Sequence, residues 1–157
     1  MKLTRFESME SPILIHHACG APGLRLFGLG PNFSLNQGVQ QLQMLLDENT
    51  SWAKRRKSKE IKKMLSKSQV IVSMWDKGKL IGFGRASSDQ IYRAVLWDVV
   101  IDKKHQAKGY GERLVNAMLQ NRLLLKVEKI YIMTTNCHDF YAKMGFNLEK
   151  HQKLMRI

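Results

Sequence analysis

The chain is predicted to fold as one α/β (α+β) domain, a mixed sheet covered by helices, and three observations predict it. Its 157 residues fit one domain with one core. Apolar stripes at helical spacing alternate along it with short runs rich in Val and Ile. Two of those runs are joined by a tight turn, Asp76-Lys77-Gly78-Lys79, while others are separated by helical segments. That alternation places helices on a sheet rather than in a bundle. Residues 1–23 form an irregular N-terminal segment and residues 24–157 a single domain.

The elements follow in order. Residues 1–22 are punctuated by Pro12, Gly20 and Pro22 and carry no periodicity. Leu24 to Leu29 reads as a first strand, closed by Gly30-Pro31. Ser34, with Gln37 three residues on, has the pattern of a capping box. Leu35, Val39, Leu42 and Leu46 then form one apolar stripe, so a helix should run to about Asn49. A second helix is expected from Ser51 to Ser66, with Ile61, Met64 and Leu65 inward and a strongly basic outer face at residues 54–67. Val70 to Trp75 alternates as a strand, and Leu80 to Ala86 returns as its hairpin partner. Ala94 to Ile101 is continuously apolar except for Asp98, which suggests a central strand buried on both faces. A helix should begin near Gly109 or Gly111, turn Leu114, Val115, Met118 and Leu125 inward, and end before Val127. Ile130 to Thr134 is a further strand. A short helix from Asn136 to Met144 stops at Gly145, and the tail from Phe146 should add one or two edge strands.

Composition narrows the function. No apolar stretch approaches the ~20 residues of a membrane span, and Glu7 and Glu10 spoil a signal peptide, so a cytoplasmic protein is expected. Cys19 and Cys137 lie far apart, and the five histidines show no metal-ligand spacing, so no metal is expected. The formal charge of +13 attracts anions, whether nucleic acid, membrane or a phosphorylated cofactor, and does not choose among them.

The segment that carries chemistry is Val99-Val100-Ile101 followed by Gln106-Ala107-Lys108-Gly109-Tyr110-Gly111. A buried strand enters a loop, and the loop opens a helix whose free N–H groups and dipole favour phosphate. Lys108 adds a full charge. A dinucleotide fingerprint would need a third glycine where Leu114 stands, and a P-loop would need GKS or GKT. On these features alone, phosphate binding and a tightly packed helix start are both open.

The spacing Gln106-x-x-Gly109-x-Gly111 resembles the acetyl-CoA signature of the GNAT N-acetyltransferases, and Phe140-Tyr141-Ala142-Lys143-Met144-Gly145-Phe146 resembles a second block of that family. The run Leu96-Trp97-Asp98-Val99-Val100 is most similar to cyanobacterial and plastid-type members. The resemblance covers about residues 70–150. It implies a mostly antiparallel sheet flanked by about four helices and an acetyl group moved from acetyl-CoA to a primary amine, an arylalkylamine or a protein lysine or N-terminus. Val99, Val100 and Ile101 would pair with the pantetheine arm, the N–H groups from Gln106 to Gly111 would hold the pyrophosphate, and Tyr141 would serve as general acid. Two positions depart from the family. Thr134 stands where many relatives have an asparagine that reaches the cofactor, which leaves Asn136 as either the cofactor contact or a helix cap. Val95 stands where the histone-acetylating branch has a glutamate base.

An alkyl amine with pKa near ~10.4 must lose a proton before it attacks. Asp98 is the nearest candidate base, and burial should raise its pKa; its structural alternative is an Asp at a strand bulge, bonded to backbone or to Arg85 or Arg93. Tyr141 has a structural alternative as a core residue beside Phe140, and the basic face at 54–67 one as a solvated surface. The acceptor groove is expected from the first two helices and the strand ends near Ser73, Arg85 and Trp97. Transfer is expected to be direct, in a ternary complex of a monomer or homodimer, with Cys137 near enough to Tyr141 to leave a covalent route open. Two other functions compete: a basic nucleic-acid-binding module, which residues 54–67 disfavour because they contain no aromatic residue, and an acetyl-CoA sensor of the same fold without turnover.

Overall fold

In the computed structural model, which describes residues 11–18, 30–31 and 34–157, the strands lie in sequence order across one sheet. They are β1 (Ile13–His16), β2 (Val70–Asp76), β3 (Lys79–Ser88), β4 (Arg93–Ile101) and β5 (Lys129–Ile132). β1 to β4 are antiparallel, and β5 joins β4 in parallel. The helices are α1 (Leu35–Asn49), α2 (Ser58–Ser66), α3 (Tyr110–Leu119) and α4 (His138–Lys143). The mixed, mostly antiparallel sheet with four flanking helices is the expected fold class.

Alternation along β2 assigns the two faces. Ile71 and Trp75 pack with Val39, Leu42, Leu46, Ile61 and Leu65 of α1 and α2. Val70, Val72 and Met74 pack with Leu114, Val115 and Met118 of α3, and Tyr141 of α4 joins this second core. Full burial of a side chain such as Leu42 or Leu114 contributes about 2 kcal/mol. Gln41 ties α1 to the β2–β3 hairpin: its amide donates to the Gly78 carbonyl at 3.2 Å and accepts from the Leu80 N–H at 2.7 Å.

Several expectations change. The strand at Leu24–Leu29 lies outside the described residues. Ile13–His16, expected to be irregular, is an edge strand paired from Ile13↔Trp75 to His16↔Val72, a long-range pairing that four residues of sequence do not announce. Ser34 precedes α1 in extended conformation but makes no side-chain cap, so the capping box with Gln37 does not form. The second helix starts at Ser58 rather than Ser51. α3 ends at Leu119, because Asn121 draws the chain into a turn: its Oδ1 accepts from Leu123 N–H at 3.0 Å and its carbonyl from Leu124 N–H at 2.8 Å. Leu124 is buried in consequence, and Leu125 is 64% exposed instead of inward. The tail from Phe146 forms no strand; Leu148, Leu154 and Met155 stay exposed, so it has no packed face on which to build one. Among the described residues, no helix is long and apolar enough to cross a membrane.

Candidate active site

β4 is the strand that builds the site, and a bulge shapes it. Phe83 pairs with Val100 and Arg85 with Trp97, so two β4 residues, Asp98 and Val99, stand opposite Gly84. Asp98 takes φ 53°, which turns its side chain out of the regular pleat. β5 pairs with β4 only from Arg93↔Lys129 to Leu96↔Ile132. Beyond Leu96 the two strands part, and the edge of β4 from Trp97 to Ile101 has no strand partner among the described residues. Such an edge offers N–H and C=O groups to an extended ligand. The central strand is therefore not buried on both faces: Trp97, Asp98 and Val99 are half-buried because they border the cleft.

A cavity of about 620 Å³ fills the gap. Its walls include Trp52, Arg56, Arg85, Trp97, Asp98, Val99, Met133, Thr134, Asn136, Cys137 and Tyr141. A second concavity, about 660 Å³ and more open, lies against the outer side of α3 beside Leu14 and His16; it touches Gly109 but none of the acid–base candidates.

The loop after β4 is braced from three sides. Asp102 Oδ1 accepts from the Lys104 N–H at 2.9 Å, the Lys103 N–H donates to Asn49 Oδ1 at 2.8 Å, and the Gln106 amide donates to the Ile101 carbonyl at 2.9 Å. Gln106 thus shapes the loop with its side chain. Ala107 and Gly109 both have positive φ, 59° and 78°. A Cβ at Gly109 would meet nothing within 4 Å, which leaves open space in front of the helix start. The α3 cap bond runs from Arg113 N–H to Gly109 C=O, so the N–H groups of the helical residues before Arg113 have no carbonyl partner within the helix. Gly111 has another reason to be glycine: a Cβ there would stand 3.2 Å from Cζ of Phe140. That packing sets the loop and helix start, the expected phosphate cradle, one phenylalanine away from Tyr141. Val100 and Ile101 bury their side chains in opposite cores, so the backbone is what they present.

Tyr141 is 8% exposed, with edge-on ring contacts to Phe140 at 4.9 Å and Phe146 at 5.7 Å. It is both a core tyrosine and a wall of the cavity. Burial pushes its phenol up to about 12, and the adjacent Cys137 adds to the shift. Asn136 is exposed and does not cap α4; Cys137 occupies the cap position, and its N–H donates to Thr134 Oγ1 at 3.0 Å.

Asp98 differs from expectation. Burial pushes its pKa up, but hydrogen bonds from Arg56 and Arg85 outweigh that and hold it below the usual carboxylate value. Both arginines meet Oδ2, Arg85 at 2.7 Å and Arg56 at 3.0 Å. Arg85 was anticipated as a partner; Arg93 instead pairs with Glu128. Sequence reasoning missed Trp52 and Arg56 as cavity residues, because both fall in a segment read as helix with a solvated basic face. Ser73, placed in the acceptor groove, is fully buried and bonded to His17 and Trp75.

A family model for the acetyltransferase (GNAT) family matches residues 39–146. The uncharacterized N-acetyltransferase ycf52 of Pyropia yezoensis is 30% identical over 145 residues, which cover 89% of this chain and 81% of that protein. A ycf52-like N-acetyltransferase of Prochlorococcus marinus is 30% identical over 114 residues, 69% of this chain and 62% of that one. Among solved structures, a GNAT-family protein from Xanthomonas campestris pv. campestris superposes with a TM-score of 0.66 at 25% identity, over 75% of this chain and 82% of that one. The chain belongs to the GNAT acetyltransferase family, and with it to the acetyl-CoA-dependent acyltransferases.

Proposed function

We propose that the protein transfers the acetyl group of acetyl-CoA directly to a primary amine, of an arylalkylamine or a protein, with Tyr141 as general acid. The observation that carries this reading is the gap between β4 and β5, with an unpaired strand edge on one side and Tyr141 in the wall of the cavity. Acetyl-CoA supplies an activated thioester. The N–H groups from Gln106 to Gly111, with Lys108 beside them, would hold its pyrophosphate, and the backbone of Val99, Val100 and Ile101 its pantetheine arm. The open space before Gly109 supports that fit.

In the transfer a C–N bond forms and the C–S bond breaks. An ammonium acceptor gives one proton to solvent and a second is passed on to sulfur, leaving an amide and a thiol. Tyr141 stays protonated throughout the neutral range, because its pKa stands near 12. It can therefore donate to the departing sulfur and recover its proton afterwards. Asp98, ion-paired and with a lowered pKa, is a poor proton acceptor; we assign it to holding Arg56 and Arg85 and leave the amine's proton to water.

Tyr141→Phe keeps the ring packing and removes the donor. Its kcat should fall by ~10²-fold or more while KM for acetyl-CoA holds, as for a group that acts in the transition state. A kcat within threefold of wild type would return Tyr141 to a purely structural role. Initial rates with both substrates varied should give intersecting lines; parallel lines would instead route the acetyl group through Cys137.

A further inference from the structure

Residues 51–57 have a sequence compatible with helix, yet the chain leaves helix after Asn49 and re-enters it at Ser58. Three bonds to α1 and its cap hold that departure. The Ala53 N–H donates to Thr50 Oγ1 at 3.2 Å, the Arg55 N–H to Asp47 Oδ1 at 2.7 Å, and Gln43 Nε2 to the Arg56 carbonyl at 2.9 Å. Arg55 sits at φ 60°. A segment braced against its local preference is where function is to be sought. This one carries Trp52 and Arg56 to the wall of the cavity.

The charge on that wall is unbalanced. Arg56 and Arg85 share the single carboxylate of Asp98, and among the described residues no other Lys, Arg, Asp or Glu lines the cavity. One positive charge is left over. Arg56 is the more accessible of the two, with 30% of its side chain exposed against 17% for Arg85. Its side-chain contacts among the described residues, Asp98 and Met64, both use Nη1. Nη2 and Nε remain as donors in the fork that matches a carboxylate. Trp52 is 61% exposed, and Leu96, Trp97 and Met133 extend the apolar surface near it.

We infer that the acceptor is an amine that also carries a carboxylate, an amino acid with an aromatic side chain, whose carboxylate is read by Arg56 and whose ring lies against Trp52. The inference rests on the acetyl-transfer reading and replaces its arylalkylamine acceptor with a carboxylate-bearing relative. A simple ammonium ion would enter against a net positive wall, whereas the zwitterion brings its own compensating charge. The reaction is then amino acid plus thioester to N-acetyl amino acid plus CoA thiol, with one proton released.

The test compares matched amines, tryptophan against tryptamine and phenylalanine against phenethylamine, at saturating acetyl-CoA. The wild type should favour the carboxylate-bearing member at least tenfold in kcat/KM. Arg56→Gln should bring that preference to within twofold by raising KM for the amino acid. Trp52→Ala, at an exposed position, should weaken both members of each pair and keep the preference. An equal or better rate with tryptamine in the wild type overturns the inference while leaving acetyl transfer intact. Absence of transfer to any amine would instead overturn the proposed function, and the inference is then decided by calorimetry on the CoA-bound protein. N-acetyltryptophan should bind at least tenfold tighter than N-acetyltryptamine and lose that advantage in Arg56→Gln; equal binding refutes it.

Discussion

At the residue scale, Asp98 shows how a sequence feature acquires its chemistry from distant partners. A carboxylate inside an apolar strand would by burial alone hold its proton more tightly; two guanidiniums reverse the outcome. Asp98→Asn would leave Arg56 and Arg85 facing each other in a half-buried site, and should cost about 3 kcal/mol in urea unfolding at pH 7. The folded pKa lies below the ordinary value of 3.8. The contribution is therefore fully present above that value and is lost as pH falls through the lower folded one. The stability gap between wild type and Asp98→Asn should hold constant from about pH 7 to 5 and narrow in acid below about pH 4. Equal urea midpoints at pH 7 would remove the ion pair from the account. The bulge and the Arg85 partnership were legible in the sequence, because a lone carboxylate in an apolar strand demands a cation. Arg56 was not: seven other basic residues surround it between 54 and 67, and only the bonds to Thr50, Asp47 and Gln43 single it out.

At the element scale, the two signature glycines look alike in sequence and do different work. Gly109 caps α3 at φ 78°, in open space; Gly111 makes room for Phe140. Gly109→Val places an L residue in left-handed backbone at a cost of roughly 1–2 kcal/mol and fills the space before the helix start. It should remain folded yet lose the melting shift given by acetyl-CoA, which at 100 times Kd corresponds to about 2.7 kcal/mol in the wild type. Gly111→Val should melt lower even without cofactor, since its Cβ already crowds the Phe140 ring. A full acetyl-CoA shift in Gly109→Val would displace the cradle from this loop. The strong elements, α1 and β2 through β4, were readable because a stripe, an alternation, a hairpin turn or a continuous apolar run marks each of them. What escaped was decided by single side chains or by distant pairing. Asn121 ends α3 early, Thr50 and Asp47 hold residues 51–57 out of helix, and β1 exists through its register with β2.

At the scale of the whole molecule, two groups of exposed basic residues within the +13 charge predict different behaviour. Lys103, Lys104 and Lys108 are exposed around the cradle, whereas Lys54, Arg55, Lys57, Lys59 and Lys63 are exposed on and before α2. Coenzyme A carries several phosphate charges, so the field should speed its arrival. Screening limits that help: the Debye length falls from about 10 Å at 0.1 M salt to about 3 Å at 1 M. The association rate of acetyl-CoA, followed by stopped flow, should therefore drop with salt while dissociation changes little. Replacing Lys103, Lys104 and Lys108 with Gln should flatten that dependence and lower affinity at low salt. Replacing Arg55, Lys59 and Lys63 should leave affinity within a few fold, because those charges lie on the α2 side and bear on no part of the cradle. Arg56 is kept in that comparison, since it belongs to the cavity rather than to the solvated face. If both triple variants respond alike, steering is a property of net charge and not of placement. If duplex DNA binds with a steep salt slope that the α2 variant abolishes, the exposed basic surface has a nucleic-acid partner in addition to the acetyltransferase site.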